Sequence, residues 1–304
     1  MTRGPVLVIA GPTAVGKSAL AHRVAERVGA EIVSADSRQL YRGLDIGTAK
    51  PTAADRAEVP YHLLDRIAVG DRCSAGQFLD WATDAITDIQ KRGKPVVVAG
   101  GSTLYVHAIL EGMPDVPPIS RALETGLMAT VTTPGGAEEL FDELQAADPE
   151  AAATLDPSKT HRLVRWVGVL RETGRRPSDI WAERSGALSS QLVVLDRSRP
   201  ELYARIDARV DAMMEEGLLE EATGLARLGT EARTTLASTI GYRELLPVLD
   251  GERDLNEGVR LIKRNTRRYA KRQLTWYRRY DEASWRPASS TTVDDVLATV
   301  APWP

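Results

Sequence analysis

Four short apolar runs are the clearest hydrophobic pattern along the chain. Each run ends at a glycine or a polar residue, and helical periodicity fills the spaces between the first three. The runs are "PVLVIAG" (5–11), "EIVSAD" (31–36), "PVVVAGG" (95–101) and "QLVVLD" (191–196). Strands that alternate with helices are typical of a doubly wound parallel sheet, so the pattern predicts an α/β core.

The pattern changes after Leu110. Residues 111–120, "EGMPDVPPIS", read as a proline-rich hinge, and the next stretch, to about Leu188, has helical periods but no convincing strand. The chain then returns to a strand and is predicted to be helical almost to its end. We therefore expect a core in two parts, residues 1–113 and 191–304, with a helical insertion domain at 114–190.

Positive charge is concentrated near the C-terminus. Residues 258–280 hold nine Lys or Arg and no Asp or Glu, although the whole chain has a net charge of −3. A stripe at three- or four-residue spacing predicts the buried side of one helix: Val259, Ile262, Thr266, Tyr269, Gln273 and Trp276. The other side is the basic face: Arg260, Lys263, Arg264, Arg267, Arg268, Lys271, Arg272, Arg278 and Arg279. Solvated helix faces usually interleave acids, so this face favours a nucleic acid or another polyanion as partner.

Composition excludes several classes of protein. A chain of 304 residues with 43% hydrophobic and 27% charged residues is typical of a globular protein. No apolar run approaches the roughly 18 residues of a membrane span. Cys73 is the single cysteine, and the four histidines are scattered, so neither a disulfide framework nor a structural zinc is expected. We expect a cytoplasmic protein that does not enter a membrane.

The most specific local motif is a phosphate-binding loop. It fits the pattern G-x-x-x-x-G-K-[ST] between a predicted strand and a predicted helix, and consists of Gly11, Pro12, Thr13, Ala14, Val15, Gly16, Lys17 and Ser18. In such loops the backbone N–H groups converge on phosphate oxygens, Lys17 adds a charge, and the Ser18 hydroxyl can join a Mg²⁺ shell. The sequence therefore predicts a P-loop doubly wound parallel sheet with Mg²⁺ as cofactor.

Asp36 follows the second apolar run. P-loop hydrolases place a magnesium-holding Asp at the end of a later strand, but the third run here ends in Gly100 and Gly101. Ligands of open α/β sheets gather at the carboxyl ends of the strands, so Asp36 is expected beside the phosphates. Its carboxylate could cap a following helix or act as a catalytic base, and the residues alone leave both roles open.

The stretch that begins at Asp36 resembles the tRNA dimethylallyltransferase family, the isopentenyl transferases that modify tRNA. The matching stretches are 11–18, "DSRQLYRGLDIGTAKP" (36–51), "GGSTLY" (100–105), 203–222, "TIGYRELLPVLDGE" (239–252) and "IKRNTRRYAKRQLTWYR" (262–278). They span nearly the whole chain. The resemblance implies transfer of a dimethylallyl group from dimethylallyl diphosphate to N6 of the adenosine 3′ of the tRNA anticodon, with loss of pyrophosphate. It also implies that the insertion domain embraces the anticodon stem.

Residue roles follow from the same resemblance. It implies that Asp36 is the base, that Thr13 assists it, and that Lys17 and Arg209 act on the diphosphate. Arg205 is the alternative candidate for the diphosphate contact of Arg209, because the sequence does not settle which side of the helix faces the loop. The whole loop from Gly11 to Ser18 is implied to hold the diphosphate, with Ser18 on the metal. The implied tRNA-binding residues are Asp36, Ser37, Arg38, Gln39, Thr103, Thr125, His161, Arg162, Arg165, Gly241, Tyr242 and Arg243.

Three other functions are weighed against this expectation. An adenylate isopentenyltransferase, which alkylates free nucleotides, shares the core motifs, but the RNA-scaled basic face weighs against it. A small-molecule kinase uses the same loop and has little use for such a face or for a helical insertion. A non-catalytic RNA-binding protein has no need of Gly16, Lys17 and Ser18 together. We expect a tRNA dimethylallyltransferase that is a monomer.

Overall fold

The computed structural model describes residues 6–156 and 158–300, which fall into two compact units. One unit runs to Leu110 and resumes at Leu188, and the other is Glu111–Ala187. The strands of the described residues are β1 (Val6–Ala10), β2 (Glu31–Ser34), β3 (Tyr61–His62), β4 (Val96–Gly100), β5 (Ser190–Asp196) and β6 (Ser284–Pro287). The helices are α1 (Lys17–Val28), α2 (Ala53–Glu58), α3 (Ala75–Lys91), α4 (Thr103–Glu111), α5 (Arg121–Val131), α6 (Gly136–Ala147), α7 (Pro149–Thr154), α8 (Thr160–Thr173), α9 (Pro177–Ala182), α10 (Arg199–Glu215), α11 (Leu218–Ala226), α12 (Thr230–Ala237), α13 (Tyr242–Leu249), α14 (Leu255–Tyr277) and α15 (Val293–Leu297).

The first unit is built on a parallel sheet, which confirms the predicted fold class. Over the described residues the strand order is β3-β2-β4-β1-β5-β6, and every neighbouring pair is parallel. All four predicted strands are present; Pro5, at the start of the first run, lies outside the described residues. The prediction missed β3 and β6. These two edge strands are short and only partly buried, so they carry no apolar run.

The core lies on both faces of the central strands. Strand β1 lies between β4 and β5 in the sheet, and all five of its residues are buried, so both of its faces are covered. Leu20 and Val24 of α1 pack in the same apolar cluster as Leu7 and Ile9 of β1. Ala10 pairs with the last residue of β4 and with Val194 of β5, so these three strands end at one edge of the sheet. The phosphate loop leaves from that edge.

Gly100, the last residue of β4, lies against the end of β2. A Cβ atom added to Gly100 would lie 2.1 Å from the backbone oxygen of Ala35. We expect Gly100→Ala to lower the free energy of unfolding by more than about 2 kcal/mol, because a backbone atom in a packed sheet cannot move aside cheaply. Denaturant unfolding measures this. Gly224→Ala is the matched control: it lies in α11 with nothing within 4 Å, so its stability should hold or rise slightly.

The second unit is helical and has its own core. Helices α5 to α9 bury Leu127, Leu140, Leu144 and Leu163 against one another. The ring of Trp166 packs on that of Trp181, which adds an aromatic contact between α8 and α9. The predicted helical character of the insertion is therefore confirmed for the described residues.

Helix α14 carries the basic face, but the predicted buried stripe is partly wrong. Its buried residues are Gly258, Ile262, Ala270, Gln273 and Tyr277, whereas Val259, Tyr269 and Trp276 are only partly covered. At Gly258 the lack of a side chain allows close packing, because a Cβ there would lie 2.9 Å from Val248 of α13. Neither this charged helix nor any other in the described ranges is long and apolar enough to cross a membrane.

Candidate functional site

The phosphate loop joins β1 to α1 in a conformation that exposes backbone N–H groups. Gly16, the residue before α1, has φ +108°, and Ala14 has φ +63°. Gly11 has φ +146°, and a Cβ there would lie 2.7 Å from the backbone oxygen of Leu195 in β5. The first N–H groups of an α-helix have no partner within the helix. The start of α1 therefore offers N–H donors and a positive dipole end to an anion.

Lys17 is a buried cation at the centre of this loop. Lys17 is only 9% exposed, and its Nζ donates to the backbone oxygen of Pro12 at 3.4 Å. Burial, with a smaller contribution from nearby Arg209, lowers the pKa of Lys17 to about 8, although Asp36 acts in the opposite direction. A buried ammonium group is costly without a counter-charge, so the site favours an incoming anion.

Gln273 of α14 ties the phosphate loop to the end of β4. Its Oε1 accepts the backbone N–H of Thr13 at 2.9 Å, and its Nε2 donates to the backbone oxygen of Gly101 at 2.6 Å. Gln273 is 1% exposed. A Cβ on Gly101 would lie 2.7 Å from Gln273 Nε2 and 3.2 Å from Lys17 Nζ. The close approach of these groups fixes the loop and the lysine together.

Two arginines hold the loop, one just before α10 and one within it. Arg205 Nε donates to the backbone oxygen of Ala14 at 2.9 Å, and Arg197 Nε donates to that of Val15 at 2.9 Å. Arg209 lies one helical turn after Arg205, and its Nη2 is 3.5 Å from the backbone oxygen of Thr48. Burial lowers the pKa of Arg209, while Asp36 and Glu216 oppose that effect. The sequence did not predict Arg197, because its partner lies 182 residues away.

These groups enclose a small cavity, which we call the anion cradle. Its volume is about 140 Å³, and it is lined by Ala14, Gly16, Lys17, Ser18, Ala19, Arg205 and Arg209. Both candidate arginines therefore face the cradle. Three cations and a helix N-terminus around one small space suit a diphosphate.

Ser18 is the candidate metal ligand of the site. It is exposed at the start of α1 and lines the anion cradle. Residues 6–156 and 158–300 contain no group of three or more His, Cys, Asp or Glu that could bind a metal. Mg²⁺ is commonly bound through one or two protein oxygens, several waters and the phosphates of a substrate. The Ser18 hydroxyl fits a magnesium ion that is held mainly by diphosphate oxygens.

A larger cavity, which we call the central cavity, opens beside the cradle. Its volume is about 300 Å³, and it shares Ala14 and Arg209 with the cradle. One part of its lining is polar: Thr13, Asp36, Ser37, Arg38, Thr48, Arg209, Ser238, Thr239, Arg243, Thr266 and Arg272. Another part is apolar: Ile206, Val210, Met213, Leu218, Ile240 and Ile262. A molecule with a charged head and a short apolar chain fits across the two cavities.

Asp36 faces the central cavity and also caps a turn. Its Oδ1 accepts the backbone N–H of Arg38 at 2.9 Å, and the following residues form a turn instead of the helix considered from sequence. Ser102 Oγ accepts the N–H of Ser37 at 2.8 Å, which fixes the same segment. Because a carboxylate has two oxygens, a capping bond at Oδ1 leaves Oδ2 for other chemistry.

The predicted tRNA-binding residues of the core have different surroundings. Arg38, Gly241 and Arg243 line the central cavity. Ser37 and Arg38 also line a more open cavity of about 410 Å³, together with Thr103. Gln39 and Tyr242 are buried, at 8% and 0% exposed, so their side chains support the site from inside the protein.

Gln39 and Tyr242 hold a segment that forms one wall of the central cavity. Gln39 Nε2 donates to the backbone oxygens of Thr48 and Ala49, at 3.3 Å each. Tyr242 Oη donates to Glu221 at 2.5 Å. The Glu221 carboxylate also accepts the backbone N–H groups of residues 45, 46 and 47, at 2.9 to 3.1 Å. Sequence reasoning missed Glu221, because one carboxylate in an acidic helical stretch gives no signal of a special role.

The other predicted tRNA-binding residues belong to the helical unit. Thr125, His161 and Arg162 are exposed there, on α5 and α8. Arg165 is half-buried, and its Nη2 donates to the backbone oxygens of Val116 and Pro117, at 3.3 and 3.0 Å. The Arg165 side chain is thus engaged within its own unit.

The basic face of α14 is partly neutralised by acids from elsewhere. Lys263 and Arg267 pair with Asp211 and Asp207 of α10, at 2.6 Å each, and Arg260 pairs with a glutamate of its own helix. The remaining cations of the face have no acidic partner within ion-pair distance among residues 6–156 and 158–300: Arg264, Arg268, Lys271, Arg272, Arg278 and Arg279. Those six charges remain available to a polyanion.

Comparisons with known proteins identify the family of the chain. The family described as IPP transferase matches residues 39–280. The chain is 43% identical to the tRNA dimethylallyltransferase of Salinibacter ruber over 295 residues, covering 96% of this chain and 91% of that protein.

Solved structures extend the similarity to the fold. The full-length tRNA isopentenylpyrophosphate transferase of Bacillus halodurans aligns with a TM-score of 0.68 at 36% identity, covering 97% of this chain and 93% of that one. A eukaryotic dimethylallyltransferase acting on tRNA aligns with a TM-score of 0.80 at 27% identity, covering 98% of this chain and 76% of that one. With the sequence match over most of its length, the chain belongs to the tRNA dimethylallyltransferase (IPP transferase) family.

Proposed function

We propose that this protein transfers the dimethylallyl group of dimethylallyl diphosphate to N6 of the adenosine 3′ of the anticodon in tRNA and releases pyrophosphate. One observation carries the proposal: the anion cradle shares Ala14 and Arg209 with a cavity that has an apolar wall and Asp36 on its lining. The cradle suits the diphosphate and the wall suits the five-carbon group. The named relatives supply the acceptor, since they act on tRNA.

The cradle serves the leaving group. An allylic carbon–oxygen bond breaks readily once the departing pyrophosphate is stabilised by fixed charges. Lys17, Arg205 and Arg209 supply those charges, and the α1 N–H groups add hydrogen bonds. A magnesium ion at Ser18, when bound, would neutralise further charge on the diphosphate. The protein therefore needs no carboxylate cluster for metal binding.

Asp36 serves the nucleophile. The exocyclic amine of adenine is weakly nucleophilic because its lone pair is delocalised into the ring. As the N6–carbon bond forms and the carbon–oxygen bond to pyrophosphate breaks, the amine must lose one proton, which Asp36 accepts. In the proposal Thr13 assists Asp36; its position on the lining of the same cavity and its N–H bond to Gln273 support this role. The reaction is balanced, because one bond forms, one breaks and one proton moves to the base.

The segment after Asp36 lies between two cavities, and in the proposal the acceptor base enters along it. A base in a folded anticodon loop is stacked, so it must be extruded to reach the site. Ser37 and Arg38 line both the central cavity and the open 410 Å³ cavity beside Thr103, which supports entry of the base along this segment. Arg243 lies at the same cavity. In the proposal, exposed Thr125, His161 and Arg162 of the helical unit contact the anticodon stem.

Acceptor choice tests the proposal. The purified protein is given dimethylallyl diphosphate and Mg²⁺ with tRNA, AMP or ATP, and prenyl transfer to each acceptor is measured. We expect transfer to tRNA and very little to either nucleotide. Preferred transfer to AMP or ATP would instead identify an adenylate isopentenyltransferase, and ATP-dependent phosphorylation of a small metabolite would identify a kinase.

The unpaired cations of the basic face support tRNA as the acceptor. We expect tRNA affinity to fall steeply with salt, and we expect each of Arg268→Gln, Lys271→Gln and Arg272→Gln to reduce the log–log slope by about 0.7 to 0.9 units. Filter binding over a range of salt concentrations measures the slope. Lys91→Gln, an exposed lysine on α3, is the control and should leave the slope unchanged. If tRNA affinity did not change with salt concentration, or if the triple variant kept the wild-type slope, the basic face would be a solvated surface that does not bind tRNA.

The proposal includes a monomeric enzyme in the cytoplasm. Sedimentation of the protein with and without tRNA tests this part, and an obligatory dimer would contradict it.

A further inference from the structure

Helix α10 runs from the anion cradle along the wall of the central cavity. Arg205, Arg209 and Met213 follow one another at four-residue spacing and therefore share one face of the helix. Arg205 lines the cradle, Arg209 lines both cavities, and Met213 lines only the central cavity. Each step along the helix axis is about 6 Å, at 1.5 Å per residue. Met213 is thus one helical turn beyond the arginine that marks the junction of the two cavities.

The apolar wall around Met213 is well packed. Ile206 and Leu218 are 0% exposed, Ile262 is 2% exposed, and Met213 itself is 8% exposed. Gly47 and Thr48 also line the central cavity. That segment is fixed by the bonds from its N–H groups to Glu221, so it cannot move aside at low cost to admit a longer ligand.

The length of an isoprenoid chain can be compared with this distance. A dimethylallyl group extends three bent carbon–carbon bonds of about 1.5 Å from its reacting carbon to a methyl carbon, which is less than one helical turn. A geranyl group extends seven such bonds and would need the space that the Met213 side chain fills. A side chain that occupies this space rejects the longer donor by steric overlap.

We propose that Met213 is a specificity-determining residue that limits the donor to five-carbon allylic diphosphates. This inference rests on the proposed function, because it assumes that the diphosphate lies in the cradle. Met213 acts on the end of the prenyl chain and not on the reacting atoms. Shortening it should therefore change which donor is used more than it changes the rate with the short donor.

The test compares dimethylallyl diphosphate with geranyl diphosphate as donors to tRNA. We expect Met213→Ala to raise kcat/KM for geranyl diphosphate by at least about tenfold, and to change kcat/KM for dimethylallyl diphosphate by less than about tenfold. Met214→Ala is the matched control, since Met214 is the next residue of α10 and does not line the cavity. Met213→Leu, which nearly conserves volume, should keep the wild-type preference.

The outcomes separate this inference from the proposed function. Thermal melting identifies any variant that fails to fold, and Met213→Val, a smaller truncation, then replaces the alanine variant. Folded variants that use dimethylallyl diphosphate but still reject geranyl diphosphate as the wild type does would overturn the role of Met213 and leave the proposed function intact. A wild-type protein that accepts both donors equally would also overturn it. Failure of the wild type with dimethylallyl diphosphate would overturn the proposed function instead.

Discussion

Lys17→Ala is expected to lower the rate of prenyl transfer by roughly 10²–10³-fold or more, with tRNA affinity nearly unchanged. The reason is geometric: the Lys17 ammonium lies buried in the cradle and donates to the Pro12 oxygen, and among the described residues no other lysine lines that space. Removing a fixed charge beside the leaving group raises the barrier, whereas the proposed tRNA contacts lie on other surfaces. Single-turnover transfer and filter binding measure the two quantities.

Two further variants make this result specific. Lys17→Met keeps most of the side-chain volume and removes the charge, so it should lose as much rate as the alanine variant without leaving a cavity. Lys91→Ala removes an exposed lysine of α3 and should leave the rate unchanged. Weakened tRNA binding together with normal turnover in the Lys17 variants would show that this lysine does not act on the diphosphate.

Asp36→Asn is expected to lower transfer by roughly 10²–10⁴-fold while the fold is preserved. Asparagine keeps the size of the side chain and an oxygen that can accept the Arg38 N–H, so a purely capping role would cost only a few tenths of a kcal/mol. It cannot accept the amine proton. The measurement is single-turnover transfer to tRNA at saturating donor, together with a melting curve.

Asp80→Asn provides the matched control, because Asp80 is exposed on α3 and is not among the described residues that line the two cavities. It should transfer at the wild-type rate. Near-normal transfer by a folded Asp36→Asn variant would mean that the turn-capping bond is the whole role of Asp36 and that the base lies elsewhere.

Local signals in the sequence predicted the sheet and the phosphate loop. The runs that became β1, β2, β4 and β5 are apolar because parallel strands are covered on both faces, and the glycine pattern of the loop is local. Strand β6 carries no such signal, because an edge strand is held by backbone pairing with β5 and keeps polar residues. Its residues therefore looked like part of a helical C-terminal region.

Contacts between distant residues could not be predicted. Gln273 reaches the N–H of Thr13 across 260 residues, and Arg197 reaches the loop across 182. Periodicity identified Gln273 as a buried polar residue but not its partners. In the same way, the acids that neutralise Lys263 and Arg267 lie on α10, so a sequence window around the basic face contains none of them.

Mapping the product on tRNA tests the central claim most directly. The protein is incubated with dimethylallyl diphosphate, Mg²⁺ and an unmodified tRNA that has adenosine immediately 3′ of its anticodon, and the digested RNA is analysed by mass spectrometry beside a pyrophosphate assay. The account predicts one dimethylallyl group on N6 of that adenosine for each pyrophosphate released. A prenyl group at another nucleotide, or pyrophosphate release with unmodified tRNA, would contradict it.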